Sequence, residues 1–256
     1  MSEKKVTSLV WFRNNLRVID NLSLKKSIEN SDKVIGYVNI DPNINSTTIY
    51  GFKKTEKFRI KFLLESISDL KKQLKKINVS LVVKNEDLKS SINSVIKKYE
   101  IDNIYIQKEW TRDELIEEEC IPSDINLIKD FDQFLFSPSG VSEIYENIPR
   151  GFSNFRKKCE KYLSIDDIIP TPKPLNKNNL IKEENSVPSI SDLGYEEFEV
   201  HNDSTFKFLG GETHGINRVN EYFFESKNLS KYKLTRNGLV GKDYSSKISS
   251  WLANGS

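Results

Sequence analysis

Cysteine and histidine are nearly missing from this sequence, and each shortage removes a class of chemistry. Two cysteines, Cys120 and Cys159, stand far apart and outside any C-x-x-C spacing, so neither a disulfide framework nor a zinc site is indicated. His201 and His214 are the only histidines, too few for a His-rich metal centre. No apolar run approaches the roughly 20 residues needed to span a bilayer. The opening stretch MSEKKVTSLVWF has too short an apolar segment, and no small-residue cleavage site, for a signal peptide. No membrane partner is expected, and the cytoplasm is the default compartment. An excess of one charge is also lacking: 39 basic residues against 37 acidic ones leave +2, which does not by itself indicate nucleic acid.

What is present suffices for a sizeable core. The 256 residues, 37% of them hydrophobic, allow one large domain or two ordinary ones. Short apolar runs at Val6–Phe12, Val34–Ile40, Val79–Lys84, Asn103–Gln107 and Ile125–Lys129 are mostly continuous rather than alternating, the pattern of strands covered on both faces. Helical patterns lie between them. Over Thr55–Ile77 the residues Leu63, Ile67, Leu70, Leu74 and Ile77 fall at three- and four-residue steps, and Leu88, Ile92, Val95, Ile96 and Tyr99 form a second stripe. Such alternation predicts an α/β fold with a doubly wound, five-stranded parallel sheet over residues 1–135. Ligands of such sheets sit at the carboxyl ends of the strands.

The pattern changes beyond that point. Phe152–Leu163 reads as a helix, and residues 164–204, with Pro170, Pro172, Pro174 and Pro188 amid polar residues, read as a long irregular connector. Residues 136–204 are therefore assigned to a connector with a short helix. From about residue 205 a helical segment begins, with Gly211–Lys227 placing Ile216, Val219, Tyr222 and Phe223 on one face.

Three stretches carry polar chemistry. Arg13, Asn14, Asn15 and Arg17 follow the first strand at the predicted ligand edge; they suit a ligand, a partner domain or water alone, or a structural pairing of Arg13 or Arg17 with Asp20 or another buried carboxylate. Glu109, Trp110 and Glu114 follow the fourth strand. A carboxylate beside an indole suits a planar heterocycle, while Asp113 and Glu114 equally suit an ordinary helix start. Near the end, Ser245, Ser246, Ser249 and Ser250 surround Lys247 and precede Trp251-Leu252-Ala253. Hydroxyls, main-chain N–H groups and a lysine make a pyrophosphate cradle, and a serine N-cap on a plain helix is the alternative.

The stretches LVWFRNNLRVIDN, YGFKKTEKFRIKFLLESISDLKKQL, PRGFSNFRKKCE, GGETHGINRVNEYF and YKLTRNGLVGKDYSSKISSWLA resemble, in order, those of the photolyase/cryptochrome family, and specifically its DASH branch. The resemblance implies an antenna domain, a connector and the start of an all-helical domain that holds FAD. It implies that Tyr232 belongs to the FAD site, and that Ser245, Ser246, Lys247, Ile248 and Ser249 form the loop contacting its phosphates. It also implies that Glu109 touches a methenyltetrahydrofolate antenna. The implied activity is blue-light, FAD-dependent splitting of cyclobutane pyrimidine dimers in DNA, a lyase reaction needing no acid, base or metal from the protein. This sequence departs from the family at Asn15, Ile19 and Ser250, where aspartate, histidine and proline are usual. It also stops where the family's helical domain is only starting. That ending gives the expectation that this chain alone holds FAD weakly and does not repair DNA, its Trp251 and Leu252 lacking helices to pack on. A second polypeptide supplying the helical half, a non-catalytic remnant and a photoreceptor fragment are the corresponding alternatives.

Overall fold

The structure is a computed structural model that describes residues 5–182 and 185–256. Residues 1–4, part of the stretch read above as lacking leader features, lie outside the described residues.

Five strands form one parallel sheet in the order β3-β2-β1-β4-β5: β1 (Thr7–Trp11), β2 (Lys33–Asn39), β3 (Ser80–Lys84), β4 (Asn103–Gln107) and β5 (Asn126–Asp130). Helices α1 (Leu22–Glu29), α2 (Lys57–Lys76), α3 (Leu88–Tyr99) and α4 (Arg112–Glu118) connect them. The period of two along each strand divides the core between the two faces. Val10, Phe12, Val34, Val38, Leu81 and Val83 meet Leu24 of α1 and the α2 stripe Ile60, Leu64, Ile67, Leu70 and Leu74. Their alternates Leu9, Trp11, Ile35, Tyr37, Val82, Ile104 and Ile106 meet Ile92 and Val95 of α3. Gly36 lets α2 approach closely, since a Cβ there would lie 2.9 Å from Leu81 Cδ1 and 3.2 Å from Leu74 Cδ1. Side-chain caps start two of these helices: Asn21 accepts from Leu24 N, and Asp87 accepts from Ser90 N.

Helices α5 (Pro138–Ile144) and α6 (Phe152–Tyr162) follow the sheet. The segment after them is mostly irregular in backbone and is sewn to the core. Asn179 accepts from Val34 N (2.9 Å) and donates to Val34 O (3.0 Å) and Asn78 O (2.7 Å). Ile169 and Asp20 exchange two hydrogen bonds, and Ile190, Leu193 and Tyr195 are buried against the α2 side of the sheet. Glu183 and Glu184 of this segment lie outside the described residues.

The C-terminal stretch comprises α7 (Glu212–Val219), a π-helical turn (Asn220–Glu225), a 3-10 turn (Asn228–Lys231), α8 (Tyr232–Thr235) and α9 (Ser249–Asn254). The buried face of α7 differs from the apolar stripe expected from sequence. Glu212, Gly215 and Arg218 are inside and Ile216 is 42% exposed, while Tyr222 of the following turn is buried as expected. Burial of Glu212 and Arg218 is tolerated because both are hydrogen-bonded.

Candidate phosphate loop and sheet-edge site

The loop after β1 is built by its arginines rather than left open. Arg13, with a 6% exposed side chain, donates to Gln107 O (2.9 Å), Glu114 O (3.0 Å) and the Glu118 carboxylate (2.9 Å). Arg17 donates to Asp20 O (2.9 Å), Asp132 O (3.0 Å) and Gly255 O (3.3 Å). Both therefore follow the structural alternative, with Glu118 and Asp132 as the carboxylates in place of Asp20. Burial raises the pKa of Asp132, opposed by a hydrogen bond from Leu22 N and by Arg17. Asn15 is buried, accepts from Arg13 N (3.0 Å), and has no hydrogen-bond partner for Nδ2 among the described residues.

Glu109 is 5% exposed and boxed in by three amides: Gln133 Nε2 (2.7 Å), Gln107 Nε2 (3.1 Å) and Asn14 Nδ2 (3.3 Å). What faces outward beside it is an aromatic shelf. Trp110 packs with Phe131 and Phe134 at ring separations of 5.4 and 5.6 Å, and Lys108 lies over Trp110 and Phe131. A separate cleft of about 1270 Å³ opens at the carboxyl ends of β1 and β2, bounded by Trp11, Asp41, Lys54, Phe58, Glu117 and Ser250 among others. Within it Lys54 and Asp41 pair at 2.8 Å, and burial raises the pKa of Glu117 despite the nearby Arg13.

The serine cluster forms a loop held from inside and from its far end. The inner anchor is Arg218, whose guanidinium donates to Ser246 O (2.9 Å), Lys242 O (2.8 Å), Ser245 O (3.2 Å), Glu221 (2.9 Å) and Asp243 (3.2 Å). The far anchor is Trp251, 2% exposed among Phe62, Phe206 and Phe208 and against Gly215. This corrects the expectation that Trp251 lacks packing, because α2 and residues 206–208 supply it. Leu252 does remain 73% exposed. Asn254 then accepts from Leu16 N (3.2 Å) and donates to Ser66 (2.9 Å), fastening the chain to the sheet region.

Between these anchors the loop has unspent donors. The hydroxyls of Ser245, Ser246 and Ser249, and the main-chain N–H groups of Ser245–Ile248, donate to no acceptor among the described residues. Lys247 has φ +62 and Ile248 φ −78, the alternation of sign that turns successive N–H groups toward one point and suits an anion. The Lys247 ammonium lies 3.4 Å over the Tyr244 ring, and its hydrogen bond, with one from Thr205, lowers the Tyr244 pKa. Tyr232 is half-exposed at the start of α8, and that helix is tied to the loop by Thr235 Oγ1 donating to Tyr244 O at 3.0 Å. Tyr232 thus stands one turn before the residue that ties α8 to the segment leading into Ser245–Ser249, and Glu109 follows β4 at the sheet edge. Among the described residues no group of His, Cys, Asp and Glu is arranged to hold a metal, and no helix is long and apolar enough to cross a membrane.

Sequence reasoning missed Arg218 and Glu212. Their signal was a three-residue spacing, Glu212, Gly215 and Arg218, on one helix face, visible only if a polar face is admitted as a buried one.

Comparison with known proteins agrees along the chain. A family model described as DNA photolyase matches residues 8–175. The chain is 34% identical to a cryptochrome DASH of Gloeobacter violaceus, with 100% of this chain and 51% of that relative covered. It is 31% identical to the chloroplastic/mitochondrial cryptochrome DASH of Arabidopsis thaliana, with 98% and 45% covered. The crystal structure of a Synechocystis cryptochrome superposes with a TM-score of 0.88 at 32% identity, covering 100% of this chain and 54% of that one. The chain thus spans about half the length of the curated relatives it matches. With the sheet order and the family model in accord, this chain belongs to the DNA photolyase family, among relatives that are DASH-type cryptochromes.

Proposed function

We propose that this chain contributes the antenna-type sheet and the FAD-diphosphate loop of a DASH-type cryptochrome/photolyase that repairs cyclobutane pyrimidine dimers in DNA. The observation that carries the reading is the set of unpartnered hydroxyl and N–H donors at Ser245–Ser249, in a loop anchored at both ends. Those donors fit a diphosphate. In this role Ser245, Ser246 and Ser249 hydrogen-bond phosphate oxygens, Lys247 and Ile248 present N–H groups, and Tyr232 flanks the cofactor from α8. FAD held by these residues would supply the light-driven electron transfer to the dimer, so their own work would be binding and orientation. The exposed apolar residues Leu234, Leu239, Val240 and Leu252 suit continuation into the larger helical body that the relatives' length implies.

Methenyltetrahydrofolate is the proposed antenna, with the Trp110 shelf offering a stacking face. Direct contact with the Glu109 carboxylate requires an amide, Gln133 or Asn14, to give way. Two free thiols suit a reducing compartment such as the cytosol.

The loop reading is tested by titrating the protein with FAD, FMN and riboflavin while following flavin fluorescence. Affinity falling in the order FAD, FMN, riboflavin, with the preference abolished in Ser245→Ala/Ser246→Ala, is the expected result. Equal affinity for all three flavins overturns it.

A further inference from the structure

One side chain that lies well before the phosphate loop in sequence binds three main-chain carbonyls in and just ahead of it. Arg218 has a 1% exposed side chain, so it does not reach a ligand. All five of its N–H donors are engaged, three of them by the main-chain carbonyls of Lys242, Ser245 and Ser246. The guanidinium also lies over Phe208 and Tyr222, 4.7 and 5.1 Å from the ring centroids. Its charge is offset locally by Glu221 and Asp243, and Glu221 is further paired with Lys242.

We infer that Arg218 is the positioning residue of the Ser245–Ser249 loop: its planar fork binds the loop's carbonyls on the inside and so leaves the opposite N–H and hydroxyl donors ordered and free for a diphosphate. The inference rests on the phosphate-loop reading above and names what preorganises that site. Geometry, not charge, carries the effect. A lysine keeps the charge but has three donors radiating from one atom, and cannot span carbonyls from Lys242 to Ser246 while staying flat between Phe208 and Tyr222. A loop ordered before binding keeps the affinity that ordering on binding would lose.

The test uses the whole chain as Arg218→Lys and Arg218→Ala, beside Ser245→Ala/Ser246→Ala. Hydrogen exchange is followed without ligand, and FAD affinity is measured by titration. The expected result is faster exchange confined to residues 242–249 in both Arg218 variants, with strands β1–β5 unchanged as the check on folding. FAD affinity should fall by about 10-fold or more, as for lost hydrogen bonds to a charged group, and millimolar ethylguanidinium should restore part of it in Arg218→Ala. The serine variant should lose FAD affinity with its exchange unchanged. Wild-type exchange and affinity in Arg218→Lys overturn the inference, and leave the phosphate reading standing if the serine variant still fails to bind. If Arg218→Lys disturbs the strands as well, Arg218 supports the fold at large and the inference is overturned. FAD binding that is the same in wild type and serine variant overturns the phosphate reading and, with it, the ligand half of the inference, whatever the exchange shows.

Discussion

The sheet region and the C-terminal helical stretch are held by different physics. Around β1–β5 the buried residues are Leu, Ile, Val and aromatics on two faces, and association there follows the apolar area removed from water. Where α7 meets the loop after β1 and α2, the contacts are polar and close. The Glu212 carboxylate accepts from Val18 N (3.1 Å) and Ile19 N (2.8 Å), and Asp69 accepts from Thr213 N (2.9 Å) and Thr213 Oγ1 (2.8 Å). Gly210 and Gly211 permit the approach: a Cβ at Gly210 would lie 2.1 Å from Phe62 O, and one at Gly211, where φ is +106, 2.5 Å from Asp69 Cβ. The sheet is specified by composition and period, whereas the helical stretch is specified by a few hydrogen bonds that tolerate no displacement. A loop that must present donors to a ligand is served by the second kind of attachment.

The comparison is broken most forcefully from the sheet side. Ile92→Ala empties a fully buried site beneath α3 and should cost about 2–5 kcal/mol of global stability, read as a lower midpoint in chemical denaturation that includes the loop 242–249 along with the strands. Unfolding of the helical stretch alone would contradict it.

A smaller and local loss is expected at the junction. Gly211→Ala combines a left-handed φ with the clash against Asp69, and overpacking of this kind costs about 1–3 kcal/mol. Protease should then cut near residues 200–210 while the sheet region survives intact. Cleavage that begins within β1–β5 would show that the two regions do not separate in this way.

The smallest effect sharpens the comparison through pH. Burial raises the pKa of Glu212, the hydrogen bonds from Val18 and Ile19 opposing it only in part. A folded-state pKa above the unfolded one means that the stability linked to its proton is fully present below the ordinary carboxylate range. That stability is lost as pH rises through the raised value. Wild type should therefore lose stability relative to Glu212→Gln on going from about pH 4 to pH 7, measured by paired denaturation curves. A difference that stays flat with pH would place Glu212 in a solvated setting.

The sheet was legible in the sequence because its evidence is local. Asn103–Gln107 matches β4 residue for residue, and the other four strands lie within one residue of their apolar runs. The α2 stripe was visible for the same reason, through Ile67, Leu70 and Leu74. Contacts between distant residues left no such trace. Nothing near Asn179 announces Val34, and nothing near Arg218 announces the carbonyls 24 to 28 positions later. The α7 face was misread because hydrophobic periodicity assigns Ile216 inward, whereas saturated hydrogen bonding put Glu212 and Arg218 there. At the candidate site, the serine cluster was legible as a set of donors. That those donors are unpartnered, and that Trp251 is packed by Phe62, Phe206 and Phe208, depended on the fold.

The most direct measurement of the loop's role is phosphorus NMR of FAD in the presence of the protein. The account predicts that the two diphosphate resonances shift and broaden with wild-type protein and return to their free positions with Ser245→Ala/Ser246→Ala. Sharp, unshifted resonances at saturating wild-type protein, or identical shifts with the serine variant, would contradict it.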